Sequence, residues 1–147
     1  MNILPGYPIS MSTTHQILIT LLDALNTHDL ARLRHVFAPY FRGTDCAQPG
    51  TISGLDGVRT SVQFYLDAFP DLTLQLIDVQ IGEQGAAVYW SARGTHHGPW
   101  MNIPPTGREV NVQGMWMLSV EKSRITRGRS VWDVAGLLRA IGLLPDL

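Results

Sequence analysis

Cysteine occurs once in this chain, as Cys46, so no intramolecular disulfide can form and no cysteine-rich zinc site can be built. A reducing, cytoplasmic setting is expected. Lysine is as scarce: Lys122 stands alone, the other ten basic residues are arginines scattered from Arg32 to Arg139, and the formal net charge is −1. With no basic stripe to lie along a phosphate backbone, nucleic acid is excluded as a partner. Charged residues make up 16% of the chain and hydrophobic ones 45%. At 147 residues that suffices for one core and is too short for two ordinary domains. No apolar run reaches the roughly 20 residues of a membrane span. Residues 1–11 contain Pro5, Gly6 and Pro8 and no basic n-region. They read as a loose tail rather than a signal peptide, which leaves 12–147 as a single domain. His35, His96 and His97 have no carboxylate at ligand spacing, so no metal site is expected.

What is present divides into two halves of different period. Ile17, Leu18, Leu21, Leu22 and Leu25 recur at helical spacing, with Ser12, Thr13 or Thr14 as cap. A shorter helix is expected from about Asp29 to Phe37, stopping before Pro39, followed by a loop to Gly54. Val58, Val62, Tyr65, Leu66 and Phe69 predict a third helix, ended by Pro70. From Leu72 onward the pattern alternates: Leu72, Leu74 and Leu76, then Val79 and Ile81, with Gly82 to Gly85 as a hairpin turn. Long antiparallel strands are expected over 86–96, 110–120 and 124–132, and a short last helix follows with Asp133 as N-cap and Gly142 as stop. Helices followed by a meander make an α+β domain: a curved antiparallel sheet whose N-terminal helices and C-terminal helix enclose an apolar pocket. On the strand leading to Trp116, alternation sends Val112, Trp116 and Leu118 inward and Asn111, Gln113, Met115 and Met117 outward. An outward face with two methionines suggests a homodimer surface.

Taken in order, Asn26 and Asp29, Ala38-Pro39, Gly54 to Arg59, Phe69-Pro70-Asp71-Leu72, Gly94-Thr95-His96 with Gly98, Ile103 to Arg108, and Asp133 with Gly136 to Leu138 resemble the SnoaL-like polyketide cyclases. That family belongs to the nuclear-transport-factor-2-like fold superfamily. The resemblance covers nearly the whole chain after Met11. It implies a cone-shaped, distorted α+β barrel with a deep apolar pocket, a dimer, and catalysis with no metal or organic cofactor. The family's cyclases close a ring of an anthracycline-type polyketide ester by intramolecular aldol condensation. Such a step removes a proton alpha to a carbonyl and stabilises the enolate, work suited to a carboxylate.

The resemblance also locates departures. The cyclase aspartate lies on the last strand, three residues before the one matching Asp133, which puts Ser130 in its place. A hydroxyl cannot replace a general base, whose loss costs ~10²–10⁴-fold in rate. The cyclase glutamine and histidine fall on Gly114 and Trp116, and an asparagine falls near Arg42 or Gly43. The pattern places no carboxylate inside the barrel.

The expected function is therefore tailoring of an aromatic polyketide in antibiotic-type biosynthesis, nearer to the family's cofactor-independent hydroxylase branch. The alternatives are a cyclase with a relocated base, Asp133 or His96, and a non-catalytic binding protein for a hydrophobic polycyclic molecule. Candidate catalytic residues are Arg42, Ser130, Asp133 and His96. Arg42 would stabilise an enolate or phenolate by charge, with a salt bridge to Asp45 or Asp56 as its structural rival. The candidate substrate-binding residues are Trp116, Trp132, Trp100, Phe69, Tyr40 and Tyr65. Capping for Asp133 and loop support for His96 are the structural alternatives to catalysis.

Overall fold

The computed structural model describes residues 12–146; the expected tail at 1–11 lies outside them. The first helix, α1 (Thr13–Asn26), begins where the Ser12 hydroxyl accepts from the His15 backbone N–H at 3.2 Å. Its Ile17, Leu18, Leu21 and Ala24 are buried along one stripe, and the helix lies along strand β3 (Thr73–Ile81). The next segment departs from expectation. Leu30–His35 is a 3₁₀ turn rather than an α-helix reaching Phe37, and the expected loop is replaced by strand β1 (Phe37–Asp45) and the two-residue β2 (Ile52–Ser53).

The physical reason is visible in the pairing of β1. It runs parallel to β6 (Arg124–Trp132), a partner more than 80 residues away, and its register shifts between Phe37 and Arg42. Pro39 falls within that irregular stretch, where its missing N–H removes no ladder bond. The irregularity erases the period of two, and the stabilising hydrogen bonds come from a distant strand.

Helix α2 (Gly54–Ala68) follows, packed on β1. Then β3, β4 (Gly85–Thr95), β5 (Glu109–Glu121) and β6 form the meander, and α3 (Val134–Ala140) returns against β5. The turn between β5 and β6 places Lys122 and Ser123 at positive φ, the backbone a tight hairpin requires. The six strands order β2-β1-β6-β5-β4-β3 in one sheet. This is the α+β architecture expected, with two refinements: the sheet is mixed rather than wholly antiparallel, and it stays open at β2 and β3 rather than closing into a barrel. Its inner face, with Val88, Trp90, Val112, Leu118 and Ile125, joins the buried faces of α1, α2 and α3 in a single core. The outer face is wet, and Met115, Met117 and Val131 are exposed on it. No helix among the described residues is long and apolar enough to cross a membrane.

Candidate active site

The helices do not fill the bend of the sheet, and a cavity of about 210 Å³ remains between them. Most of its wall is aliphatic or aromatic: Leu21 and Leu25 from α1, Val58 and Val62 from α2, Phe37 and Phe41 from β1, Trp90 and Ala92 from β4, Val112, Trp116 and Leu118 from β5. The alternation expected for β5 holds. Trp90 and Trp116 lie tilted with ring centroids 5.6 Å apart, giving the wall a broad aromatic surface.

One region of this wall is polar. Asp45 ends β1 as a lining residue, only 8% exposed, and in the parallel ladder its Cα partner is Ser130 of β6. Its Oδ2 accepts from the Tyr65 hydroxyl at 2.8 Å. Its Oδ1 accepts from the Trp132 indole Nε1 at 3.1 Å and from the Ala47 backbone N–H at 2.8 Å. Ser61, one turn before Tyr65 on α2, also lines the cavity and is held by Gln48 at 3.1 Å. Burial pushes the Tyr65 hydroxyl well above the ordinary tyrosine range, the Asp45 carboxylate adding to the rise and a Gln48 hydrogen bond opposing it. Tyr65 therefore stays protonated and donates to Asp45. Two ion pairs form among the described residues, Arg32–Asp23 and Arg59–Asp56, and neither touches Asp45. The result is a buried carboxylate held by three neutral donors in a mostly apolar cavity, whose other polar lining residues are Thr44, Ser61, Arg129 and Ser130.

Asp45 is the residue that pattern reading missed. Within Phe-Arg-Gly-Thr-Asp, the buried Phe41, Gly43 and Asp45 alternate with exposed Arg42 and Thr44. Once 37–45 is recognised as a strand, the carboxylate falls on the same side as Phe41.

The expected site residues divide accordingly. Ser130, Trp116, Trp132, Phe69 and Tyr65 line the cavity. Arg42 does not: it is exposed, outside the lining, and unpaired with Asp45 or Asp56, the latter taken by Arg59 at 2.6 Å. Tyr40, in the irregular stretch of β1, is 63% exposed and contributes nothing to the cavity. Trp100 is fully buried but stands behind Trp132, edge to face at 6.1 Å, and so supports that ring rather than touching the cavity.

Asp133 and His96 are also outside the lining. Asp133 is exposed, and its Oδ1 accepts from the Gly136 N–H at 2.8 Å, capping α3. His96 is completely buried between β4 and β5, where Nδ1 accepts from the Thr106 N–H at 3.2 Å and meets the Thr106 hydroxyl at 3.0 Å. Burial, aided by the charge of His97, holds His96 below the ordinary histidine range and therefore neutral. Among the described residues no three His, Cys, Asp or Glu side chains come together as a metal site.

The departures at Gly114 and Trp116 now have a steric reading. Gly114 lies between Trp90 and Trp132 across the sheet, and a Cβ there would fall 2.5 Å from Trp90 Cζ2 and 2.6 Å from Trp132 Cβ. A glutamine cannot occupy that slot while both indoles keep their places. Along this row the wall offers ring surface, and the cavity's carboxylate stands on β1.

Several solved structures share this fold. TsrD from Streptomyces laurentii superposes with a TM-score of 0.82 at 25% identity, over 93% of this chain and 100% of that one. AclR from Streptomyces galilaeus, named as a candidate hydroxylase, gives 0.81 at 26% identity over 94% and 86%. IdmH from Streptomyces antibioticus, named as a candidate polyketide cyclase, gives 0.77 at 29% identity over 89% and 99%. No curated protein matches the sequence significantly. The motifs that fix the scaffold, the helices over a bent sheet and a family match spanning residues 15–141 agree: the chain belongs to the SnoaL-like polyketide cyclase family.

Proposed function

We propose that this protein is a tailoring enzyme of aromatic polyketides that works without a cofactor, belongs to the hydroxylating branch of its family, and ionises a flat polycyclic substrate at Asp45. The observation that carries this reading is the buried carboxylate, in no ion pair among the described residues, facing a cavity walled by tryptophans. Such a group can take a proton from an acidic ring hydroxyl or C–H, and a water-poor surrounding sharpens its electrostatic effect. Beside it, Ser130, Trp116 and Gly114 supply none of the cyclase's polar groups for orienting two carbonyls. An apolar wall suits dioxygen, which is small and uncharged. Starting from the hydroquinone form of the substrate, dioxygen takes four electrons: two as a ring C–H becomes C–OH and two as the hydroquinone becomes quinone. One water leaves, and the product is one oxygen heavier than the parent quinone. The similarity to AclR favours this outcome.

A second reading is aldol cyclisation with Asp45, rather than Asp133 or His96, as the relocated base, and the similarity to IdmH favours it. The two share the ionising step and differ in the need for oxygen. Aromatic polyketide hydroquinones incubated with the protein in air and under nitrogen separate them. Hydroxylation requires an oxygenated product in air only, with Asp45→Asn reducing turnover by ~10²–10⁴-fold while the chain stays folded. An isomer formed equally under nitrogen moves the protein to the cyclases, and saturable binding with no product makes it a carrier. The working unit in this proposal is a homodimer formed through the outer face of the sheet, where Met115, Met117 and Val131 are exposed.

A further inference from the structure

The geometry points to an anion site on the outer face of the sheet, built by Arg42, Arg127 and Arg129, that takes the dianionic end of a phosphomonoester. It does not rest on the reaction proposed above. Arg42 on β1 and Arg127 on β6 are direct Cα partners in the parallel ladder, so only the ~4.8 Å spacing of neighbouring strands separates their backbones. Arg129 follows two residues along β6 on the same face, roughly 7 Å further. All three are exposed. The strands that carry them are far apart in sequence, which is why the chain shows no basic run.

Like charges directly opposite on neighbouring strands are destabilising, whereas opposite charges there help. Here no carboxylate offsets the pair. Ser53 faces Arg42 on β2, Ser119 faces Arg127 on β5, and Thr44 and Met117 flank Arg129. The two ion pairs among the described residues lie elsewhere, and Glu121, the nearer carboxylate of β5, is the Cα partner of Arg124. Arg129 and Thr44 also border the cavity beside Asp45 and Ser130, yet both are exposed and Arg129 makes no ion pair with Asp45.

The surroundings are rich in donors and poor in acceptors. Each guanidinium brings five N–H donors in a planar fork and keeps its charge. The hydroxyls of Thr44, Ser53 and Ser119 stand in the same rows, and the Ser53 side chain, at the N-cap of α2, makes no cap bond. A single carboxylate offers one charge and two oxygens. A terminal phosphate offers close to two charges near neutrality and three acceptor oxygens, one for each arginine, in a geometry that a guanidinium fork meets bidentately. The face is open, so only this end group is gripped and the rest of the molecule stays in solvent. Arg127 is four residues along β6 from Val131, and Arg42 lies one strand further toward β2. A homodimer centred on Met115 therefore leaves the pair at its rim.

The test is a titration of the nitrogen-15-labelled full chain at pH 7.5 and low ionic strength, followed by backbone amide shifts. Methyl phosphate, inorganic phosphate, dimethyl phosphate and acetate are the probes. Methyl phosphate should move the amides of 42–44 and 127–129 and bind within about three-fold of inorganic phosphate, with singly charged dimethyl phosphate and acetate about ten-fold weaker. Arg127→Gln weakens methyl phosphate about ten-fold, the low end for a hydrogen bond between charged groups. Arg127→Lys recovers only part of that loss, because an ammonium lacks the fork. Both variants are checked for folding by their thermal transitions, and if neither folds, the shift positions and the ranking on the unmodified protein decide. Phosphatidylcholine vesicles with and without phosphatidate assign the carrier. Pelleting only with phosphatidate places the phosphate on a lipid, and no pelleting places it on a soluble molecule; the site stands in either case. Shifts confined to other residues, acetate binding as tightly as methyl phosphate, or an Arg127→Gln variant that binds like the unmodified protein overturns the inference.

Discussion

A carboxylate taken out of water is costly unless donors meet its lone pairs, and Asp45 is met by Tyr65, Trp132 and the Ala47 amide. Its chemistry therefore depends on three groups from three different parts of the chain. Asp133 shows the opposite case. It directly follows the last strand and fits a catalytic reading by position, yet its side chain accepts from the Gly136 amide at the start of α3 and lies outside the cavity lining. Replacing Asp133 with alanine should cost about 1 kcal/mol through the lost cap. For a chain of this size that is a fall of about 2–4 °C in melting temperature. Turnover should stay unchanged, and a ten-fold loss of turnover would return Asp133 to the chemistry. Gly114 matters through what it lacks, since any Cβ would displace Trp90 or Trp132.

Among the elements, the family's Gly-Thr-His-x-Gly and Pro-Pro-Thr-Gly-Arg motifs act as connectors. The Thr95 N–H and hydroxyl both donate to Asp71 at 2.7 Å, tying the end of β4 to the turn after α2. Burial alone would raise the Asp71 carboxyl, but these hydrogen bonds outweigh it and hold the group below its ordinary value. His97 and Gly98 amides donate to the Ala68 carbonyl at the end of α2, and a Cβ at Gly98 would strike the Asp67 carbonyl at 1.9 Å. The His96 N–H donates to the Arg108 carbonyl at 2.9 Å, and Gly107 at positive φ returns a bond to His96 at 2.8 Å. At the far end of α1, the Asn26 side chain grips both the N–H and the carbonyl of Leu74, docking that helix on β3.

The connector around His96 has a pH signature. Its folded pKa is lowered, so below the ordinary value of 6.5 the unfolded chain takes up a proton that the folded chain resists. Its contribution to stability is full above 6.5 and declines as pH falls beneath it. Asn at position 96 keeps an acceptor near the Thr106 amide but does not titrate. Between pH 7 and pH 5, melting temperature should fall more steeply in the unmodified protein than in His96→Asn. Parallel slopes would show that His96 is not the titrating group.

At the scale of the molecule, the sheet has two unlike faces. The inner one is buried under three helices and opens into the cavity; the outer one is solvated but carries Met115 and Met117, 47% and 64% exposed. Flexible methionines on a sheet face suit contact with a second copy of the chain. The proposed homodimer places these residues at its interface. Met117→Asp should then halve the mass in sedimentation equilibrium at micromolar concentration while leaving the circular dichroism spectrum unchanged. An unmodified protein that sediments as a monomer, or a variant that remains dimeric, moves the interface elsewhere.

Local sequence alone determined α1, α2, the β3 to β6 meander, the Asp133 cap and the inward set of β5, because each depends on period and on neighbours a few residues away. It also carried the family, whose connectors are short, contiguous motifs. The placement of β1 was decided only in three dimensions, since its hydrogen bonds come from β6 and its irregular start hides the alternation. With β1 came the choice between a cavity without a carboxylate and one with Asp45. A buried charge is defined by the donors that surround it, and Tyr65, Trp132 and Ala47 come together around Asp45 only when helix, strand and turn pack into one fold.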